Sequence, residues 1–171
     1  MDLEDAVFDN GDVVAATGLS PAAIQSWANR GILTLSEKQR NPGPGQRRQY
    51  SGLDIARIAA TQSLIGYGLT ASTAAQIAFR LERGPVSAQP WRRALQEGVS
   101  RIHVFVVDDF EVAAIYTGND RTKFAQLLAD LSEDLSGGPL GEGTKIRTKT
   151  AVFDIGPDVS TALETLRTRA A

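Results

Sequence analysis

The run Thr17-Gly18-Leu19-Ser20-Pro21 limits this chain more than any other. Glycine reaches positive φ at little cost, so Gly18 suits a point where a helix must stop and turn sharply. Ser20 can cap a following helix, its side-chain oxygen accepting an otherwise orphaned backbone N–H. Proline at the first helical position loses nothing by lacking an N–H, and its fixed φ favours a helix there. A stop and a start therefore lie between Gly18 and Pro21. Before them, Phe8 to Thr17 reads as a short helix with Val13, Val14 and Ala16 as its core face. After them, Ile24 and Trp27 fall three apart on one face of a second helix, which Gly31 ends. Two short helices about a tight turn have helix-turn-helix spacing, although helical hairpins of other uses share it.

The next segment narrows the choice. Ile32, Leu33 and Leu35 lead into Ser36 to Tyr50, where Pro42-Gly43 and Pro44-Gly45 make a loop tip that cannot be helix. The arms on either side carry basic and amide side chains. A projecting, basic, glycine-tipped hairpin directly after a second helix reads as a wing. The alternative is an ordinary surface loop, but the apolar Ile32, Leu33 and Leu35 at one end and Tyr50 at the other argue that both ends are anchored. The formal net charge of −2 hides a local asymmetry. Asp2, Glu4, Asp5, Asp9 and Asp12 make the start acidic, whereas Ala22 to Tyr50 holds Arg30, Lys38, Arg40, Arg47 and Arg48 against Glu37 alone. Salt screens charges beyond about 10 Å, so a polyanion feels the local patch rather than the total.

Ser51 to Tyr67 returns to helical period, with Ile58, Gln62 and Ile65 on one stripe, until Gly66 and Gly68 break it. Thr70 can cap a fourth helix to about Glu82, with Ala74, Ile77, Ala78 and Leu81 on its apolar face. Gly84 to Pro90 reads as linker. The expected division is residues 1–83, a linker over 84–100, and a second small unit over 101–171. In that second part, Ile102 to Val107 is a strand by composition, Asp108-Asp109 a turn, and Phe110 to Tyr116 an antiparallel partner. Asn119-Asp120 can cap a helix to about Leu135, with Phe124, Leu127, Leu128, Leu131 and Leu135 as its stripe. Ser136 to Gly143 is loop, Lys145 to Ile155 a third strand, and Pro157 starts a last helix bearing Val159, Ala162, Leu163 and Leu166. The order β-β-α-β-α predicts a small antiparallel sheet covered by helices, and the whole chain is of the α+β class.

From about Asp12 to Leu81 the assembled pieces resemble the DNA-binding domain of the MerR family of transcription regulators. The matching residues are Val13, Thr17-Gly18-Leu19-Ser20 and Trp27-x-x-Arg30-Gly31-Ile32-Leu33. After the wing come Arg48-x-Tyr50, Asp54-Ile55-x-Arg57-Ile58 and Gly68-Leu69-Thr70. The resemblance implies a winged helix-turn-helix whose second helix enters the major groove while the wing tracks the backbone of double-stranded DNA. It puts Ser20, Ala22, Ala23, Gln25 and Ser26 near DNA and makes Arg48 and Tyr50 a pair that grips phosphate. Gln25 and Ser26 stand where many members have arginine and an aromatic residue.

The chemistry agrees with that implication. Arginine donates bidentate hydrogen bonds to phosphate oxygens, so Arg30, Arg40 and Arg47 are further candidate contacts beside Arg48. A glutamine amide such as that of Gln25 pairs with adenine. Tyr50 has a second reading, a half-buried ring whose hydroxyl closes the base of the wing. Trp27 belongs to the core and Arg57 to a salt bridge or helix surface. The long coiled-coil helix usual in the family is replaced by Gly84-Pro85 and Pro90, and its metal-sensing cysteines are absent.

The absence of cysteine excludes disulfides, thiolate metal sites and cysteine nucleophiles. His103 is the only histidine and reads as structural; no nucleophile–base constellation accompanies it, and the Gly137 to Gly143 loop lacks the ending of a phosphate-binding loop. The expectation is a protein that is not an enzyme and has no cofactor and no metal. No apolar run approaches the roughly 20 residues of a membrane helix, and the acidic start is unlike a signal peptide, so the expected location is cytoplasmic. The functional expectation is a sequence-specific DNA-binding regulator acting as a homodimer. Its C-terminal part would supply the dimer contact in place of the coiled coil, or bind an effector or protein partner. An excisionase-like architectural factor and a protein-interaction adaptor without DNA binding are the alternatives.

Overall fold

Local capping sets where the first described helix begins. The Asp9 carboxylate accepts the backbone N–H of Asp12, and the Asp12 carboxylate accepts that of Asp9. This reciprocal box starts helix α1 at Asn10, so α1 is Asn10–Thr17. The expected start at Phe8 is therefore corrected. Asp9 as cap holds extended backbone, and Phe8 before it pairs as a β-bridge with Tyr50, each residue's N–H donating to the other's carbonyl at 2.8 and 2.9 Å. The computed structural model describes residues 7–33, 45, 47–83, 101–107, 111–136 and 151–170.

Gly18 ends α1 in the left-handed region at φ 71°, donating its N–H to the Val14 carbonyl. Helix α2, Pro21–Asn29, follows at once, with the Ser20 hydroxyl accepting the Ala23 N–H at 3.2 Å. Helix α3, Gly52–Gly66, is opened by a second reciprocal box between Ser51 and Asp54. Helix α4, Ala71–Arg83, begins where the Thr70 hydroxyl accepts the Thr73 N–H.

The second part has the predicted β-β-α-β-α order. Strands β1 (Ile102–Val107), β2 (Glu111–Thr117) and β3 (Ala151–Asp154) form one sheet in the order β2-β1-β3, antiparallel at both joins. Helix α5, Arg121–Ser136, is capped by the Asp120 carboxylate, which accepts the N–H groups of Thr122 and Lys123. Helix α6, Gly156–Ala170, follows β3 directly, and its first N–H donates to the Asp154 carboxylate. The predicted linker over 84–100, the Asp108-Asp109 turn, the glycine loop beyond Ser136 and the first part of the predicted third strand lie outside the described residues.

Helix α6 packs against α1 and α3, so the C-terminal segment helps to enclose the N-terminal helices. Val159, Ala162, Leu163 and Leu166 join one apolar cluster with Val13 and Ala16 of α1, Ile24 and Ala28 of α2, and Ile55 and Ile58 of α3. Full burial of a side chain such as Leu163 or Val159 contributes roughly 1.5–3 kcal/mol. The sheet adds Ile102, Val104 and Phe153 to the same cluster. Strand alternation turns His103 the other way, where its register partners are Tyr116 and Asp154. At the end of α3, the Tyr67 hydroxyl donates to the Asp154 carbonyl at 3.0 Å while its ring meets Phe153.

Candidate nucleic-acid interface

Helix α2 divides its residues by period. Ile24 and Ala28 are buried in the cluster and Trp27 packs half-buried against it. Ala22, Gln25, Ser26 and Asn29 are exposed, as is the cap Ser20, while Ala23 is half-buried. Spacings of three and four bring Ala22, Gln25, Ser26 and Asn29 onto one side, one apolar and three polar residues on a helix whose other side is anchored. Such a face is short, uncharged and rich in hydrogen-bonding groups, which suits base edges better than it suits phosphates.

Positive charge comes from beside the helix. Arg30 at its end is exposed, and so is Arg47, shortly before α3. Arg48 is half-buried, and its guanidinium Nη1 donates to the Gln25 side-chain oxygen at 3.2 Å. The Gln25 amide nitrogen in turn donates to the Asn29 side-chain oxygen at 2.9 Å. Arm and helix are thus joined by side chains across 23 positions of sequence. Gly45 is exposed; Arg40 and the rest of the predicted wing tip lie outside the described residues.

Tyr50 sits beneath this chain of bonds. Its ring is only 1% exposed, and its hydroxyl donates to the Asn10 side-chain oxygen at 2.9 Å. Burial raises the phenol pKa above its ordinary value, and the neighbouring Arg48, through a hydrogen bond and its charge, pulls the other way. The Tyr50 backbone holds Phe8 and its side chain holds Asn10, so the segment before α3 is fastened to the start of α1. Of the residues predicted to meet DNA, the structure therefore brings Gln25, Arg48 and Tyr50 together, with Ser20, Ala22 and Ser26 exposed along α2. Asn29 was missed. Its only signal in the sequence is its place four residues after Gln25, where helical side chains meet.

Two other features lie apart from this face. Arg57 pairs with Asp54 in α3 at 3.6 Å, both side chains nearly buried. His103 is buried with its ring against Phe124, its Nε2 3.6 Å from an Asp154 carboxylate oxygen and its buried Nδ1 without a hydrogen-bond partner. Burial lowers its pKa, Asp154 opposes that, and Arg101 adds to it, so a neutral imidazole is favoured. Among the described residues no group of three or more acidic, histidine or cysteine side chains is arranged to hold a metal ion. Among them too, no helix is long and apolar enough to cross a membrane.

The model of the MerR HTH family regulatory protein matches residues 10–79, from the first residue of α1 into α4. No curated protein matches the chain. The matched segment spans the two helices about Gly18, all of α3 and most of α4. Residues 10–79 thus match the helix-turn-helix domain of the MerR regulatory family, a family of DNA-binding transcription regulators.

Proposed function

We propose that the protein is a sequence-specific regulator whose helix α2 reads the major groove while the wing arm bearing Arg47 and Arg48 lies on the sugar–phosphate backbone. The observation that carries this reading is the exposed face of α2, whose Gln25 is bonded directly to Arg48 of the wing. A base-reading side chain and a phosphate-binding cation are thereby held in one unit. Ser20, Ala22, Ala23 and Ser26 flank Gln25 on the groove side, and Arg30 and Arg40 are additional phosphate contacts. Tyr50 serves from below by holding the arm in place. A protein with this activity works in the compartment that holds DNA, which for a bacterial-type regulator is the cytoplasm. It acts as a homodimer on paired half-sites, with residues 101–171 supplying the contact between copies or receiving an effector or protein partner.

The test is binding to selected and random duplexes across a salt series. The regulator prefers its selected site by about 10³-fold or more. Replacing Arg47 and Arg48 together with alanine weakens binding to every sequence and lowers the slope of log affinity against log salt by about two. An unchanged slope would sink the wing assignment. Binding to no duplex would make the protein an adaptor, and bending with array formation would make it an architectural factor. Light scattering that finds only monomer, with and without DNA, removes the dimer.

A further inference from the structure

We infer that Asn29 and Arg48 together determine which way round the Gln25 amide faces its target, and so act as positioning residues for sequence specificity. The inference rests on the reading of α2 as the recognition helix. A glutamine amide has an oxygen that only accepts and a nitrogen that only donates, in a shape almost unchanged by a half-turn. Exposed on a helix, such a group is free to present either edge. Here Arg48 imposes one orientation and Asn29 is turned to support it. Arg48 has donors only, so it holds the amide oxygen, at 3.2 Å. The Asn29 oxygen accepts, so it holds the amide nitrogen, at 2.9 Å. Reversal of the amide would set donor against donor at Arg48, a clash Arg48 cannot relieve by turning, whereas Asn29 would have to reverse its own amide to follow.

The fixed orientation has a chemical consequence. Each of the two bonds leaves one further valence on the amide, a second lone pair on oxygen and a second hydrogen on nitrogen. Adenine offers a matching acceptor and donor side by side on its major-groove edge, at N7 and N6. An amide already turned correctly meets that pair without first losing rotational freedom, which improves discrimination by preorganisation. Arg48 and Asn29 then govern preference at one base pair without touching the base. The backbone grip of Arg48 is a separate effect felt at all sequences.

The experiment measures affinity for the selected duplex and for each of its single-base variants. Gln25→Ala locates the position concerned, where it reduces discrimination by about 5- to 150-fold. Asn29→Ala reduces discrimination at that same position by about threefold or more, while Asn29→Asp, which keeps the acceptor, retains it. Arg48→Ala reduces it likewise, and Arg48→Lys, which keeps a donor, retains it. Asn29→Ala with full discrimination at the Gln25 position overturns the inference while leaving the recognition helix intact. Gln25→Ala without effect at any position overturns both, and loss of discrimination spread evenly over all positions overturns the positioning role. Thermal melts of each variant confirm that the fold is kept, since Asn29 is exposed at the end of α2.

Discussion

Arg169 donates through Nε to the Asp12 carboxylate at 2.8 Å, joining the last turn of α6 to the first turn of α1 across 157 positions of sequence. The same carboxylate closes the capping box of α1 with its other oxygen. The Arg169 side chain is nevertheless 48% exposed, and water and salt weaken a pair of that kind. The apolar residues of α6 therefore dominate its attachment. Arg169→Ala is expected to lower stability in urea unfolding by no more than about 1 kcal/mol. Leu163→Ala, which opens a cavity in the cluster, is expected to lower it by about 2–5 kcal/mol. Equal losses would show that the ion pair, not packing, holds the helix.

The turn between α1 and α2 offers a backbone test. Gly18 has φ 71°, and a Cβ there would meet nothing within 4 Å. The loss on Gly18→Ala is then conformational alone, about 1–2 kcal/mol, with no steric contribution. Ser20→Ala, which removes the cap of α2, lowers stability by about 0.5–2 kcal/mol. Calorimetric melts of the two variants check both figures, and a Gly18→Ala protein as stable as the parent would contradict the left-handed turn.

Tyr50 can be separated into ring and hydroxyl. Tyr50→Phe keeps the buried ring and the bridge to Phe8 but removes the bond to Asn10. The expected loss is about 0.5–1.5 kcal/mol in denaturant titration. Tyr50→Ala, by contrast, empties its place in the buried cluster and costs about 3–5 kcal/mol, the range for buried aromatic rings. If Tyr50→Phe proves as damaging as Tyr50→Ala, the hydroxyl rather than the ring anchors the arm.

His103 makes stability depend on pH in a defined direction. The folded protein holds the imidazole pKa below 6.5, chiefly through burial, whereas the unfolded chain titrates at the ordinary value. As pH falls through 6.5, the unfolded state takes up the proton first, and stability declines until the folded-state pKa is passed. Urea titrations from about pH 8 to about pH 5 should therefore show a decline in the parent that is shallower in His103→Asn. A parent that gains stability relative to the variant on acidification would mean that Asp154 outweighs burial.

What the sequence disclosed depended on distance along the chain. Caps at Ser20, Ser51, Thr70 and Asp120 are local devices, so the four helices they open were placed within a residue or so. Phe8 was misplaced because an apolar residue beside a helical stripe looks helical. The competing signal was Asp9, followed three residues later by Asp12, and it starts the helix at Asn10, two residues after Phe8. The stripe of Val159, Leu163 and Leu166 announced a helix that needs a partner, but amphipathic period does not say which partner. That it covers α1 and α3 depends on tertiary packing. Likewise the polar face of α2 was legible, while the bond between Gln25 and Arg48 joins residues 23 positions apart. Asn29 went unnoticed because an asparagine at a helix end already has an ordinary explanation as a terminating residue.

The packing of α6 sets an order of events during synthesis. Val13 and Leu166 belong to one cluster, and the segment between them must be made before that cluster can close. Contacts so distant in sequence carry a large loop-closure entropy and slow the search for the native state. While a ribosome is still producing the sheet, the faces of α1 and α3 that will receive α6 remain uncovered, a state in which chaperones and aggregation compete. The N-terminal helices are translated before α6 and are enclosed only after it, so α1 and α3 reach their native packing no earlier than α6 is made.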